Sequence, residues 1–339
     1  MADLAARHRR HAAEIEAGVL QVLRGGRYIG GERVAQAEAA LAAQMGCSGG
    51  VGVASGTDAL ILALSALGVG PGTRVALPAL SFFATTEALL WLGATPVFVD
   101  LRADRPLMDN AQIPADVDLV LTVPLFGMGG QDAGLPAGTP VLCDAAQAIG
   151  WGWGRPRGTL VCLSLYPTKT VGCAGDGGAI LGDDEDLLRA TRALANHGLA
   201  GAHEHRTLGR NSRLDAVQAP VVCAQLSSLS QRIARRRQIA RHYEACLDAP
   251  IPRDDRDAVH HFVLRHPSRD DFAARLRTQG VASTCYYPRT MAQQEALPEA
   301  LRAQLPVAES WARELLAVPC HAELSDDQVA RIGRLLEAG

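Results

Sequence analysis

The chain has 339 residues, 33 basic against 36 acidic side chains, a formal charge of −3 and a hydrophobic fraction of 48%. A near-neutral balance without basic blocks excludes a dedicated nucleic-acid binder, the apolar fraction excludes a disordered chain, and the length predicts about two domains. Of the 33 basic residues only Lys169 is lysine. Arginine serves as a surface cation equally well, but only an amine can shed its proton and attack a carbonyl.

Residues 1–20 set Arg7, Arg9, Arg10, Glu14 and Glu16 among alanines, which predicts an amphipathic helix and not a signal peptide. No apolar run approaches the roughly 18 residues of a membrane span. From about Val51 to Asp184, short apolar runs alternate with helical stretches, the pattern of a mostly parallel sheet covered by helices. Strands are expected at 51–54, 74–77, 95–99, 119–123, 141–143, 160–164 and 179–181. Each run is too short for a helix, and several end on turn residues. Ligands of such sheets gather beyond the carboxyl ends of the strands, so the residues just after these runs are the candidates.

Past Asp215 the pattern becomes helical. Ile233, Ala240, Tyr243 and Leu247 keep a roughly seven-residue rhythm, and Arg232, Arg235, Arg236, Arg237 and Arg241 crowd the other faces. That run reads as a solvated helix face in preference to a polyanion site. Ser325 and Gln328 predict a capping box for a last helix with Val329, Ile332 and Leu336 inward. The expected division is a large domain, 1–234, and a smaller C-terminal α+β domain, 235–339, with the first 20 or so residues free to pack on the latter. Eight scattered cysteines without a C-x-x-C pair fit reduced, mostly buried thiols in a cytoplasmic protein.

Three segments carry the chemistry. Ser55-Gly56-Thr57-Asp58-Ala59-Leu60 lies between a strand and an apolar helix; such a start is either an ordinary cap or a phosphate seat of free N–H groups. Asp144 leaves a buried strand in Val141-Leu142-Cys143-Asp144-Ala145-Ala146-Gln147, as a helix cap, a metal ligand or the partner of a cationic ring nitrogen. Lys169 follows the strand ending at Ser164 and precedes Gly172, Gly175, Gly177 and Gly178. A phosphate seat, a carboxylate and a reactive amine on strand ends of one sheet suit pyridoxal phosphate.

These blocks resemble the DegT/DnrJ/EryC1/StrS family of sugar aminotransferases. The resemblance is carried by Gly26 to Gly31, Ser55 to Leu60, Gly70-Pro71-Gly72, Ser81 to Thr85, Gly93 to Asp100, Asp144 to Ala148, Ser164 to Lys169, Gly175 to Ala179, His197-Gly198, Gly209 to Asp215, Tyr287-Pro288 and Leu316 to Pro319. It implies an α/β protein of fold type I: a large domain with a mostly parallel seven-stranded sheet plus the smaller C-terminal domain. The implied cofactor is pyridoxal 5'-phosphate in Schiff base with Lys169, which is also the acid and base of the proton shift. Asp144 pairs with the ring nitrogen, and Gln147 lies near the 3-hydroxyl. Phe82 stacks on the ring, and Gly56, Thr57 and Ser164 hold the phosphate. Asn211 crosses to the neighbour's phosphate in a homodimer with shared active sites. No metal, nucleic acid or membrane is implied.

The resemblance also has gaps. Ile149 stands where relatives often carry histidine. The run Cys285-Tyr286-Tyr287-Pro288-Arg289-Thr290-Met291-Ala292-Gln293 lacks the histidines that many relatives have before the tyrosine and downstream. The stretch between Gln147 and Ser164, with Trp151, Trp153, Arg155 and Arg157, is shorter than usual; the two arginines face either solvent or a substrate phosphate. Asn211-Ser212-Arg213-Leu214-Asp215 leans toward members that aminate a 3-keto nucleotide sugar, ahead of 4-keto enzymes. His203 and His205 have no third ligand nearby and read as loop residues near the dimer interface. The expected function is transfer of an amino group from L-glutamate to a nucleotide-linked keto sugar. The alternatives are amination of a keto-cyclitol and, from another class, a non-catalytic cofactor-binding regulator.

Overall fold

Helix α1 (Leu4–Gly25) starts on Asp3, whose side chain accepts the Ala6 N–H at 2.8 Å, and α2 (Glu32–Met45) follows. The sheet region then runs β1 (Gly49–Val53), α3 (Gly56–Ala66), β2 (Arg74–Pro78), α4 (Ala84–Trp91), β3 (Thr95–Val99), β4 (Leu119–Thr122), β5 (Val141–Asp144), β6 (Leu160–Ser164) and β7 (Gly178–Gly182). The computed structural model describes residues 2–129, 132–152 and 158–337. All seven strands form one sheet in the order β1-β7-β6-β5-β4-β2-β3. The expected strands therefore stand, each end within two residues of its predicted position. They were recognisable because central strands are buried on both faces and read as unbroken apolar runs; all four residues of β4 and of β5 are buried.

Neighbours from β6 to β3 pair in parallel, and β7 pairs antiparallel with both β6 and β1. Every strand but β7 thus points the same way. The carboxyl ends of β1, β2, β4, β5 and β6, with the start of β7, meet along one edge, where such sheets bind ligands.

The chain continues through α5 (Glu185–Leu194), a hairpin of β8 (Leu199–Gly201) and β9 (Glu204–His205), α6 (Gln218–Ser227) and α7 (Leu229–Glu244). Then come β10 (Phe262–Arg265), α8 (Arg269–Thr278), α9 (Pro306–Glu314), β11 (Leu315–Val318) and α10 (Asp326–Glu337). Here β10 and β11 pair antiparallel, and Tyr243, Phe262, Phe272, Leu276, Ile332 and Leu336 belong to one apolar cluster. The predicted capping box forms, with Ser325 Oγ accepting the Gln328 N–H at 3.2 Å and Gln328 Oε1 accepting the Ser325 N–H at 2.9 Å. Helix α1 packs on α6 through Ile15, Val221 and Ala224. No helix among the described residues is long and apolar enough to cross a membrane.

Arg232 and Arg236 of α7 correct the expectation of a solvated face, while Arg241 remains exposed. Arg232 and Arg236 are 2% and 4% exposed. Arg236 Nη1 donates to the carbonyls of Val259 and His260, Arg237 Nε to that of Asp257, and Arg235 and Arg241 pair with Asp326 and Asp255. Arg232 approaches Glu323 at 3.8 Å. Burial works against ionisation of Glu323, yet the His321 hydrogen bond and the charges of Arg232 and Arg236 outweigh it and hold the carboxyl down to about 2. Glu323→Gln leaves buried guanidinium groups without this counter-charge and is expected to lower stability by about 3 kcal/mol at neutral pH. The wild-type contribution is present above the ordinary glutamate value of 4.5 and is lost as pH falls toward about 2. Denaturant melts of both proteins at neutral and acid pH check this; equal midpoints at neutral pH remove Glu323 from the stability of the chain.

Candidate active site

Five strand ends build the site. After β1, Ser55 caps α3, its Oγ accepting the Asp58 N–H at 3.0 Å. The first-turn N–H groups of Gly56 and Thr57 have no acceptor within the helix, so they and the helix dipole can receive an anion. Space here is set by glycine. A Cβ on Gly56 would lie 2.7 Å from Cβ of Ser164, and one on Gly178 would lie 2.3 Å from the carbonyl oxygen of Ser55. The turn therefore lies directly against the end of β6, where Ser164 Oγ joins it. Arg210 Nη1 pairs with Asp58 Oδ1 at 2.6 Å and ties the segment after β9 to the same helix start.

Asp144 ends β5 and is 5% exposed. No helix follows it, so the helix-cap alternative falls away; Oδ1 accepts only a local turn bond from the Ala146 N–H at 3.2 Å. Its Oδ2 accepts from Thr85 Oγ1 at 2.8 Å. Thr85 has one hydroxyl hydrogen, so in the 2.9 Å contact between Ser81 and Thr85 the donor is Ser81. A two-hydroxyl relay from the start of α4 thus fixes the carboxylate. Burial raises the Asp144 pKa, opposed by Thr85, Ala146 and the charge of Lys169.

Lys169 lies half-buried in the turn after β6, its backbone N–H donating to Tyr166 O at 2.9 Å. Burial lowers its pKa and the charge of Asp144 opposes the shift. A dry site therefore pushes the amine toward its neutral, nucleophilic form while a carboxylate sits within its field.

Gln147 follows in the turn after β5. Its Oε1 accepts the Phe126 N–H at 2.7 Å and its Nε2 donates to the Tyr287 hydroxyl at 3.3 Å. The Phe82 ring is 58% exposed with its centroid 6.1 Å from that of Tyr287, so it is a rim aromatic and not core. Asn211 alone stands apart: it is exposed, Oδ1 accepting from Arg213 Nη2 at 2.6 Å, and bridges Asn196. His203 and His205 are also exposed, on the β8–β9 hairpin, and the described residues contain no metal-ligand cluster. Trp153, Arg155 and Arg157 lie outside the described residues.

Sequence reading missed several groups. Thr85 and Ser81 brace Asp144 and Tyr287 braces Gln147, roles that nothing local in the sequence signals. His260 Nδ1 contacts Thr170 Oγ1 at 3.1 Å, and the His261 ring stacks on Tyr286 with centroids 4.4 Å apart. Burial, then the charges of Lys169 and Arg236, push His261 down to about 3. A histidine thus faces the run in which the family's usual histidine is missing, and the signal available was the His260-His261 pair next to an apolar strand.

The lone lysine, a buried carboxylate and a capped helix start share one edge of a mostly parallel sheet, and the fold is an α/β fold of type I. The chain belongs to the DegT/DnrJ/EryC1/StrS aminotransferase family, whose model matches residues 9–337, and it is an aminotransferase. It is similar to the UDP-N-acetyl-3-dehydro-alpha-D-glucosamine 3-aminotransferase of Acidithiobacillus ferrooxidans, at 37% identity over 99% of this chain and 96% of the relative. It is also similar to the UDP-2-acetamido-2-deoxy-3-oxo-D-glucuronate aminotransferase of Pseudomonas aeruginosa, at 34% identity over 95% of each chain. Among solved structures, S. venezuelae DesV in complex with a ketimine intermediate superposes with a TM-score of 0.93 at 33% identity, covering 99% of this chain and 96% of that one.

Proposed function

We propose that this aminotransferase moves the amino group of L-glutamate to the 3-keto carbon of a nucleotide-linked sugar, in amino-sugar biosynthesis, using pyridoxal 5'-phosphate. One observation carries the reading: the only lysine of the chain lies half-buried at a strand end, in the field of the buried Asp144. The residues fit the cofactor. Because neither Gly56 nor Gly178 carries a Cβ, the start of α3 closes onto the end of β6, which brings its first-turn N–H groups and the Ser164 hydroxyl together for one anion. Asp144, disfavoured as a lone buried charge, is suited to a cationic ring nitrogen. When bound, the cofactor supplies an electron-accepting ring that makes the α-proton of an amino acid acidic.

Lys169 would hold the cofactor, and its Nζ is the group that would take and return a proton. The carboxylate of Asp144, oriented by Thr85 and Ser81, keeps the ring nitrogen protonated. Gln147, itself fixed by Phe126 and Tyr287, and the rim aromatic Phe82 would help to hold the ring. Gly56, Thr57 and Ser164 hold the phosphate.

Asn211 completes the phosphate site of the other subunit in a homodimer. Its exposure supports that role, as do the exposed Tyr28, Ile29 and Leu208 and a nearby cavity of about 670 Å³ lined by Ile29, Asn196 and Arg213. The smaller domain is 235–339, which its own apolar cluster supports, and the buried thiols Cys143, Cys162, Cys173 and Cys320 among the described residues suit a cytoplasmic setting. The two relatives named above support the 3-keto position, together with the run from Asn211 to Asp215.

The test is glutamate-dependent amination, comparing UDP- and dTDP-linked 3-keto sugars with 4-keto sugars and keto-inositol. The expected result is a glutamate-driven spectral change of the holoenzyme and turnover with a 3-keto nucleotide sugar. Turnover with keto-inositol alone moves the reading to a cyclitol enzyme; a cofactor-loaded protein that glutamate does not change removes glutamate as the donor.

A further inference from the structure

Helix α1 reaches the lysine turn from the N-terminal end of the chain. Arg7 is 8% exposed, and its Nη1 donates to the backbone carbonyl of Lys169 at 2.7 Å while its Nη2 donates to that of Pro167. These carbonyls stand on either side of Thr168, the second being that of Lys169 itself. On the other flank Thr170, 1% exposed, contacts His260. The planar fork of a guanidinium matches two neighbouring carbonyls in a fixed geometry, which a single ammonium does not.

Arg7 is not what fastens α1. The helix is anchored on α6 through Ile15, Val221 and Ala224, and His11 Nε2 lies 2.9 Å from Ser228 Oγ. Burial disfavours the Arg7 charge and Glu323 offsets this, so an ionised side chain is kept in a dry place with two donors committed to one turn. Carbonyls of this half-buried turn that lose such donors lose their fixed partners, and the turn then has other arrangements open to it.

We propose that Arg7 is a positioning residue for Lys169: by fixing the carbonyls of Pro167 and Lys169 it sets the direction of the lysine amine. The inference rests on the reading of Lys169 as the cofactor lysine. Misplacement of a reacting group by about 1 Å costs on the order of 100-fold in rate. Loss of Arg7 therefore acts on kcat and on the environment of the amine, leaving substrate contacts in place.

The test compares Arg7→Ala and Arg7→Lys with Ile15→Ala, which loosens the α1–α6 contact without touching the turn. In holo Arg7→Ala we expect kcat to fall roughly 10- to 100-fold with both KM values nearly unchanged. The pH midpoint of the cofactor's visible band should move by about half a unit or more, and millimolar guanidinium should restore part of kcat. Arg7→Lys should lie between, and it keeps the test open where Arg7→Ala fails to fold. Unchanged kcat and midpoint in the Arg7 variants, or the same change in Ile15→Ala, overturns the proposal. Failure of the underlying reading is distinct: the wild-type band would then persist in Lys169→Ala.

Discussion

Lys169→Ala is expected to lower turnover by at least about 10⁴-fold and to abolish the cofactor's visible absorption band while the protein still folds. No other lysine exists in the chain to substitute for it. Lys169→Arg should be as inactive, because a guanidinium keeps its charge and cannot attack a carbonyl at any accessible pH. The amine is readied by position: burial lowers its pKa and Asp144 only partly opposes the shift. The removed side chain was half-buried in a turn, so the stability change should be small beside the loss of rate. Spectra and single-turnover rates of the loaded variants measure the effect. A band and a rate retained by either variant would assign the chemistry to another group.

The sheet was legible because central strands are short, apolar and followed by turn residues. The sheet edge was legible for the same reason: Ser55, Asp144 and Lys169 each stand just beyond such a run, and one parallel direction brings those ends together. The rest of the site depends on contacts across long stretches of chain. Thr85 reaches Asp144 from 59 residues away, His260 reaches Thr170 from 90, Tyr287 reaches Gln147 from 140, and Arg7 reaches Lys169 from 162. No local spacing encodes those pairs. The α7 arginines failed for the same reason. The seven-residue rhythm of the apolar residues was real, but the carbonyls and carboxylates that receive the arginines come from 14 to 91 residues further on, so part of a face that reads as solvated is folded over.

Asp144→Asn tests the other half of the site and is expected to cut kcat/KM by about 10²- to 10⁴-fold with little change in fold, since the amide is nearly isosteric. In the cofactor-free protein, burial raises the Asp144 pKa above its ordinary value. Over the window between the two values the folded state then binds more protons than the unfolded state, so stability falls as pH rises through that window and stays lower beyond it. A cationic ring nitrogen beside the carboxylate cancels this cost. The stabilisation that the cofactor confers should therefore grow with pH in the wild type and stay flatter in Asp144→Asn, whose amide does not titrate. Melting temperatures with and without pyridoxal phosphate, taken from acid to neutral pH, measure the difference. If the cofactor's stabilisation of the two proteins follows the same pH course, Asp144 does not face a cationic ring, and the Ser81–Thr85–Asp144 relay is only a structural brace between α4 and β5.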